Sequence, residues 1–319
     1  MKILVTGGCG FIGSHVVDAY AEKGYEVTVV DNLSTGKKEN LNQKARLYIT
    51  DIGSEEMKEI FYKEKPDVVN HHAAQISVPL SVKDALYDAE INIKGTIRLL
   101  ELSREYAIQR FIFSSTGGAI YGEATEIPTE ETYYPRPASP YAISKFAAEK
   151  YILFYHDYYR IPCVILRYSN VYGPRQIPHG EAGVVAIFTE KLLQEEHAML
   201  YHFPEEPLGM IRDYCFVTDV AQANLMAAEK KLTGIFNIGT GSGTCTYDLY
   251  KTILNILREK GKALNESFDE PLRGIARPGD IHTSTLNVRK ARDVLGWKAL
   301  KNLKAGISET IMWYMKNET

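Results

Sequence analysis

The 319-residue chain has only four cysteines, Cys9, Cys163, Cys215 and Cys245, and none stands in a C-x-x-C pair. That spacing argues against a structural zinc site or a disulfide framework and fits a reducing, cytoplasmic compartment. Long apolar runs are also missing. The opening Met1-Lys2-Ile3-Leu4-Val5 is cut at once by Gly7, Gly8 and Gly10, so it reads as a buried strand rather than a signal segment. Nothing approaches the roughly 20 apolar residues of a membrane span. There is no basic excess, with 37 Lys and Arg against 40 Asp and Glu. A nucleic-acid or anionic-membrane partner is therefore not expected. Metal-ligand spacing is absent too: the adjacent His71 and His72 must point different ways, and no third ligand stands near them. No internal repeat or low-complexity tract interrupts a composition of 45% hydrophobic and 24% charged residues. Such a chain can form one large domain with a smaller second lobe.

What is present is an alternation of short apolar strands with helical patterns. Strands are predicted at 2–6, 26–30, 46–49, 67–70, 110–113, 163–167 and 235–238, with helices at 14–23, 93–106 and 141–159. That rhythm predicts an α/β fold, a doubly wound parallel sheet covered by helices on both faces. From about 170 onward Gly- and Pro-containing loops lengthen. Residues 1–170 are expected to form the sheet domain and 171–319 mainly a smaller lobe, interleaved because the strand near 235–239 returns to the sheet.

The first strand runs into Gly7-Gly8-Cys9-Gly10-Phe11-Ile12-Gly13, which opens a helix. Gly7 permits a tight turn, Gly10 lets amides approach a pyrophosphate, and Gly13 lets the helix pack closely. A glycine loop alone could serve only chain reversal. Here Asp31 ends the next strand roughly 20 residues on, where a ribose-binding acid belongs. A carboxylate there accepts from both ribose hydroxyls and repels a 2′-phosphate, so NAD is expected rather than NADP. Asp51 and Ile52, after the third strand, are candidates for the adenine.

Tyr141-Ala142-Ile143-Ser144-Lys145 follows the helix-start pair Ser139-Pro140. Four-residue spacing puts Tyr141 and Lys145 on one helix face, where an ammonium would acidify a phenol whose ordinary pKa is about 10. The spacing alone is weak, because Tyr247 and Lys251 repeat it on what reads as a solvated face. The upstream segment distinguishes Tyr141: Phe111-Ile112-Phe113 runs into Ser114-Ser115-Thr116-Gly117-Gly118, placing hydroxyls at the carboxyl end of a buried strand. A plain Ser/Thr cap is the alternative.

With these residues in place, the chain resembles the extended short-chain dehydrogenase/reductase family, and within it the nucleotide-sugar 4-epimerases, over almost its whole length. The likeness includes the glycine loop, Asp31-Asn32-Leu33-Ser34, His72-Ala73-Ala74, Asn92, the hydroxyl cluster and the Tyr–Lys pair. It continues in Arg167-Tyr168-Ser169-Asn170-Val171-Tyr172-Gly173-Pro174, Arg212-Asp213-Tyr214 and Arg277-Pro278-Gly279-Asp280. The resemblance implies a Rossmann-type NAD domain with a smaller C-terminal substrate-binding lobe. It implies that Phe11, Ile12, Asn32, Ser34, Ala73 and Ala74 join the glycines and Asp31 around NAD. Gln75, Asn92, Ser114, Tyr168, Tyr141 and Lys145 complete that set.

The substrate implied is a UDP-hexose, contacted by Thr116, Gly117, Tyr141, Asn170, Val184, Val185, Arg212, Arg277 and Asp280. Tyr141 would take the O4 proton, directly or through Thr116, and a transient 4-keto sugar would turn over and be reduced on its other face. Ser115 is a second candidate hydroxyl. The rivals are a 4,6-dehydratase or decarboxylase of the same family, disfavoured by Gly117-Gly118 after Thr116, and a non-catalytic NAD-binding sensor. Ser284, where the family walls off the sugar 2-position, is small enough for N-acetylhexosamines. Ile76 stands where some relatives carry lysine. Tyr151, Phe154, Tyr155 and Tyr158 read as core, and the resemblance implies a homodimer through the 141–159 helix and the one near 93–105.

Overall fold

The computed structural model describes residues 1–178, 183–277 and 279–317. Six strands follow in order: β1 (Lys2–Thr6), β2 (Glu26–Asp31), β3 (Arg46–Ile49), β4 (Val68–His71), β5 (Arg110–Thr116) and β6 (Cys163–Tyr168). They pair in parallel as 3-2-1-4-5-6, and Gly234–Ile238 adds in parallel to β6. Leu4, Val5, Val29, Val69, Ile112 and Val164 have no exposed surface, as strands covered on both faces require. All seven sheet strands expected from the sequence are present, with small shifts at their ends. The strand order reverses between β1 and β4, which opens a crevice at the carboxyl ends of the strands.

Helix α1 (Phe11–Glu22) packs on the helix Val217–Glu229 across one face of the sheet. A buried polar node joins them: Asn70 on β4 donates to the Tyr20 hydroxyl at 2.8 Å and to Asn224 Oδ1 at 3.0 Å. On the other face lie Gly95–Glu105, entered through a π-helical turn at Glu90–Lys94, and Pro140–Tyr159. The expected helix at 93–106 thus begins as a wider turn.

Beyond residue 170 a second core forms from the helices Val184–Leu193, Thr246–Glu259 and Leu303–Asn317 around Phe188, Tyr250, Ile253 and Ile311. Its sheet is centred on Ile211–Phe216, which pairs with Asn170–Tyr172, Gly243–Cys245 and Thr283–Ser284. Because Asn170–Tyr172 follows β6 almost directly, the two cores meet along the crevice.

The aromatic stretch on Pro140–Tyr159 departs from expectation. Only Tyr155 is buried, while Tyr151, Phe154 and Tyr158 are 42%, 51% and 69% exposed. Their spacing carries them round to the outer face of the helix, and Phe154 stacks on Tyr158 with centroids 5.4 Å apart.

One buried ion pair locks this helix to the sheet. Arg167 on β6 holds Glu149 through two hydrogen bonds, Nη2 to Oε2 at 2.6 Å and Nε to Oε1 at 3.0 Å, with side chains 3% and 1% exposed. Removing one partner leaves an uncompensated buried charge. Glu149→Ala is therefore expected to lower unfolding free energy by about 3–5 kcal/mol, read as a lower urea midpoint; an unchanged midpoint would refute the assignment.

Candidate active site

The crevice is a cavity of about 690 Å³ lined from both cores. At one end is the glycine loop. Gly7 has φ +69°, and a Cβ there would lie 2.7 Å from the Ala73 amide nitrogen. A Cβ on Gly13 would lie 2.1 Å from the Gly7 carbonyl oxygen. Gly13 thus packs against the loop itself rather than against a strand, and this brings the α1 N-terminus over the cavity. The first-turn amides of a helix have no intrahelical acceptor, so they face whatever anion sits there.

Asp31 is fixed by two backbone amides, Cys9 N to Oδ2 at 2.9 Å and Leu33 N to Oδ1 at 2.8 Å, and lines the cavity. Each carboxylate oxygen keeps a lone pair for a ribose hydroxyl. Cys9 itself is buried, and desolvation, with Asp31 and Glu39 nearby, pushes its thiol up to about 12. Phe11, Ile12, Asn32, Ser34, Asp51, Ile52, Ala73, Ala74 and Gln75 all reach the same wall. Asn92 does not. Its amide accepts from Gln75 N at 2.9 Å and donates to Gln75 O at 3.0 Å, so it holds the wall from behind.

At the other end stand Ser114, Thr116, Tyr141, Lys145 and Tyr168. Ser139 caps the Tyr141 helix by accepting from Ala142 N at 3.3 Å, with Pro140 in its first turn. The Lys145 ammonium lies 4.1 Å from the centre of the Phe113 ring. Burial draws its pKa down to about 7, against the opposing charges of Glu149 and Asp88. Tyr141 shares this burial. Desolvation, then Asp88, push the phenol up to about 12, and a hydrogen bond with Thr116 acts the other way. Ser115 also lines the cavity, but its hydroxyl donates to Glu149 Oε1 at 2.6 Å, which favours Thr116 over it. Tyr247 and Lys251 behave as expected for a surface pair, bonded to Glu270 at 2.6 Å and the Asp269 carbonyl at 2.9 Å.

Among the expected substrate contacts, Asn170, Val184 and Val185 line the cavity. Gly117 does not: it starts a short helix, and a Cβ there would meet Leu286 at 2.6 Å. Arg212 is also turned from the wall. Its guanidinium donates to the carbonyls of Ile211, Ile281 and His282 at 2.7–3.2 Å, clasping that segment. Arg277 pairs with Asp280 at 3.3 Å and lies over the Tyr201 ring, beside rather than within the cavity; Pro278 of that motif lies outside the described residues. Ser284 is buried and pairs with Arg212 in the smaller sheet.

Sequence reasoning missed two groups. Asp88 is a fully buried carboxylate beside the Tyr141 helix, and a lone acid in a helical stretch carries no local signal. Ser169 Oγ and Gln176 Oε1, on residues that line the cavity, are buried and have no hydrogen-bond partner among the described residues. Tyr214 Oη and both ring nitrogens of His72, on the same lining, are likewise unpartnered; native interiors rarely leave such atoms unsatisfied, and their gathering at one cavity marks a ligand site. A phosphate cradle, a ribose acid and these orphaned polar atoms fit a dinucleotide with a polar substrate beside it.

The fold and site define a Rossmann-type dinucleotide enzyme with a Tyr–Lys pair and an adjacent hydroxyl. Comparison with known proteins narrows this. Residues 3–239 match the NAD dependent epimerase/dehydratase family. A putative UDP-glucose 4-epimerase from Methanocaldococcus jannaschii is 44% identical over 315 residues, 99% of this chain and 98% of its own. A UDP-glucose 4-epimerase from Thermotoga maritima, solved with UDP-glucose, superposes with a TM-score of 0.93 at 48% identity, covering 100% of each chain. One from Thermus thermophilus, solved with NAD, gives 0.91 at 43% identity over 99% of this chain and 100% of that one. The chain belongs to the NAD dependent epimerase/dehydratase family and is an NAD-dependent enzyme.

The cradle makes a direct demand. Gly13→Ala would force a methyl into the Gly7 carbonyl and is expected to cut NAD carried through purification at least roughly tenfold, the scale of a lost 1.4 kcal/mol. Nucleotide released by acid and quantified per chain measures it; parental stoichiometry would contradict the packing argument.

Proposed function

We propose that the enzyme catalyses 4-epimerisation of a UDP-hexose, interconverting UDP-glucose and UDP-galactose. The observation that carries this is the convergence of Tyr141, Lys145 and Thr116 on the cavity that also holds the glycine loop and Asp31. The substrate class rests on relatives of near-complete coverage, one solved with UDP-glucose.

NAD⁺ held along Gly7–Gly13 and Asp31 supplies the hydride acceptor and a positive ring that favours a nearby phenolate. The chain's own groups do the rest. Tyr141 accepts the O4 proton, and Thr116, hydrogen-bonded to it, is placed to orient or relay that proton. Lys145, buried one turn along, favours the phenolate whenever it is charged. Asn170, Val184 and Val185 form the substrate end, whose apolar part lets a sugar turn over while its nucleotide is held.

Dehydration would need a carboxylic acid beside the reacting carbons. The only carboxylates among the described cavity-lining residues are Asp31 and Asp51, both at the cofactor end. Glu123, the nearest acid after Thr116, accepts from the His282 amide at 2.7 Å. These placements favour epimerase over dehydratase or decarboxylase, and the intact Tyr–Lys–Thr set disfavours a sensor. The small side chain of Ser284 is the argument for wider sugars, so UDP-N-acetylhexosamines belong in the substrate panel.

A homodimer is proposed through the outer face of Pro140–Tyr159, where Ile143, Tyr151, Phe154 and Tyr158 are exposed together with Leu86 and Tyr87. An apolar ridge of this extent suits a self-complementary contact. A cytoplasmic location is supported by four unpaired cysteines, and no helix among the described residues is long and apolar enough to cross a membrane.

Purified enzyme given UDP-galactose without added cofactor is expected to form UDP-glucose; a 4-keto-6-deoxy product would identify a dehydratase instead. Tyr141→Phe should lower turnover by about 10²–10⁴-fold, the worth of a positioned base, with NAD still bound. Full activity in that variant would remove Tyr141 from the reaction. Sedimentation should give twice the 35.9 kDa chain mass, and Phe154→Glu with Tyr158→Glu should give single chains; an unshifted mass in that double variant would place the contact elsewhere.

A further inference from the structure

Asp88 sits behind the cavity wall on the short helix Ala85–Ala89, 1% exposed. Three donors converge on its carboxylate. Gln75 Nε2 reaches Oδ1 at 2.7 Å, Asn92 Nδ2 reaches the same oxygen at 3.1 Å, and the Ser144 hydroxyl reaches Oδ2 at 2.5 Å. Gln75 and Asn92 meet it with amide N–H groups, which can only donate. None of these partners is charged, so contact does not cancel the charge.

Each partner leads to a different part of the site. Gln75 belongs to the cofactor wall beside Ala73 and Ala74. Ser144 lies inside the Tyr141–Lys145 turn, and its hydroxyl also contacts the Tyr141 carbonyl at 3.0 Å. Asn92 grips the Gln75 peptide and touches Ser144 at 3.3 Å. The wall and the catalytic turn are thus hung from one carboxylate.

The charged and titratable groups around Tyr141 and Lys145 come from five elements. The helix supplies Glu149, which Arg167 of β6 neutralises through two hydrogen bonds. Strand β4 and its end supply His71 and His72, both held neutral by burial and by Lys145, His72 down to about 3. Strand β5 supplies the hydroxyls of Thr116 and Ser115. Among the described residues, Asp88 is the one carboxylate that acts on both Tyr141 and Lys145 without a cation in contact, raising each.

We propose that Asp88 is a positioning residue for the reaction: it joins the Gln75 wall to the Tyr141–Lys145 turn through Ser144 and supplies the fixed negative charge facing that pair. The proposal rests on the reading of Tyr141 as base. Two substitutions separate its halves. Asn at position 88 can still accept from Gln75 and Asn92 through Oδ1 and donate to the Ser144 oxygen, so Asp88→Asn keeps the joint and removes the charge. Ser144→Ala keeps the charge and cuts the joint.

The sign follows directly. The acid limb of kcat/KM reports the base of the free enzyme. Without the Asp88 charge both the phenol and the ammonium lose protons more readily, so both limbs move to lower pH. Asp88→Asn is expected to shift the profile by roughly one unit, the lower end of a nearby-charge effect. Ser144→Ala is expected to lower kcat about tenfold, the scale of one 1.4 kcal/mol contact, with KM and both limbs unmoved. A parental profile in Asp88→Asn, or parental kcat in Ser144→Ala, overturns the proposal. Parental turnover in Tyr141→Phe would instead defeat the catalytic reading itself, so the two failures are distinguishable.

Discussion

A buried ammonium governs the architecture of this enzyme. Lys145 lies deep in the protein over the Phe113 ring, where desolvation disfavours its charge. A cation there is tolerated only with negative charge in reach, and the fold brings it from two sides. Glu149 arrives from the next turn of the same helix, and Asp88 from a neighbouring one. Glu149 must in turn be matched by Arg167, which ties the helix to β6 and, through Tyr121 at 2.8 Å, to the returning strand by way of Asn237. The need to house one lysine thus propagates through much of the sheet.

The cavity is electrically divided. Its cofactor end carries Asp31 and Asp51 together with the first-turn amides of α1. Among the described residues its reacting end offers hydroxyls, amides, an ammonium and neutral imidazole, and no carboxylate. This division lets one small volume hold an anion beside two carboxylates while keeping proton transfer on phenol and threonine.

The sheet and its cofactor loop were legible because their signals are local. Strands buried on both faces read as short β-branched runs, and a glycine loop followed by Asp31 places two parts of a binding site within one β-α-β unit. Tyr141 could be told from Tyr247 by the hydroxyl-bearing strand end upstream, and the surroundings of Tyr247 agree. What could not be read depends on distant partners. Ser144 and Asp88 are 56 residues apart, and neither hints at the other. Asn92 carries the polar side chain expected of a ligand contact, yet satisfies a neighbouring peptide. Arg212 was assigned by resemblance, and the three main-chain carbonyls that hold its guanidinium come from residues 211 and 281–282, which its own segment does not announce. At the phenol, the sequence displays the lysine and conceals both the burial and the distant acid that act against it.

The returning strand has a consequence for how the molecule is assembled. Gly234–Ile238 covers the outer edge of β6, yet the ribosome delivers it only after much of the second core has emerged. Until then β6 presents an unpaired edge, a surface prone to recruit foreign strands. The nascent protein therefore cannot finish its nucleotide half first and add the sugar half later. Closure of the sheet waits on the intervening chain, which carries the first helix and the central strand of the second core.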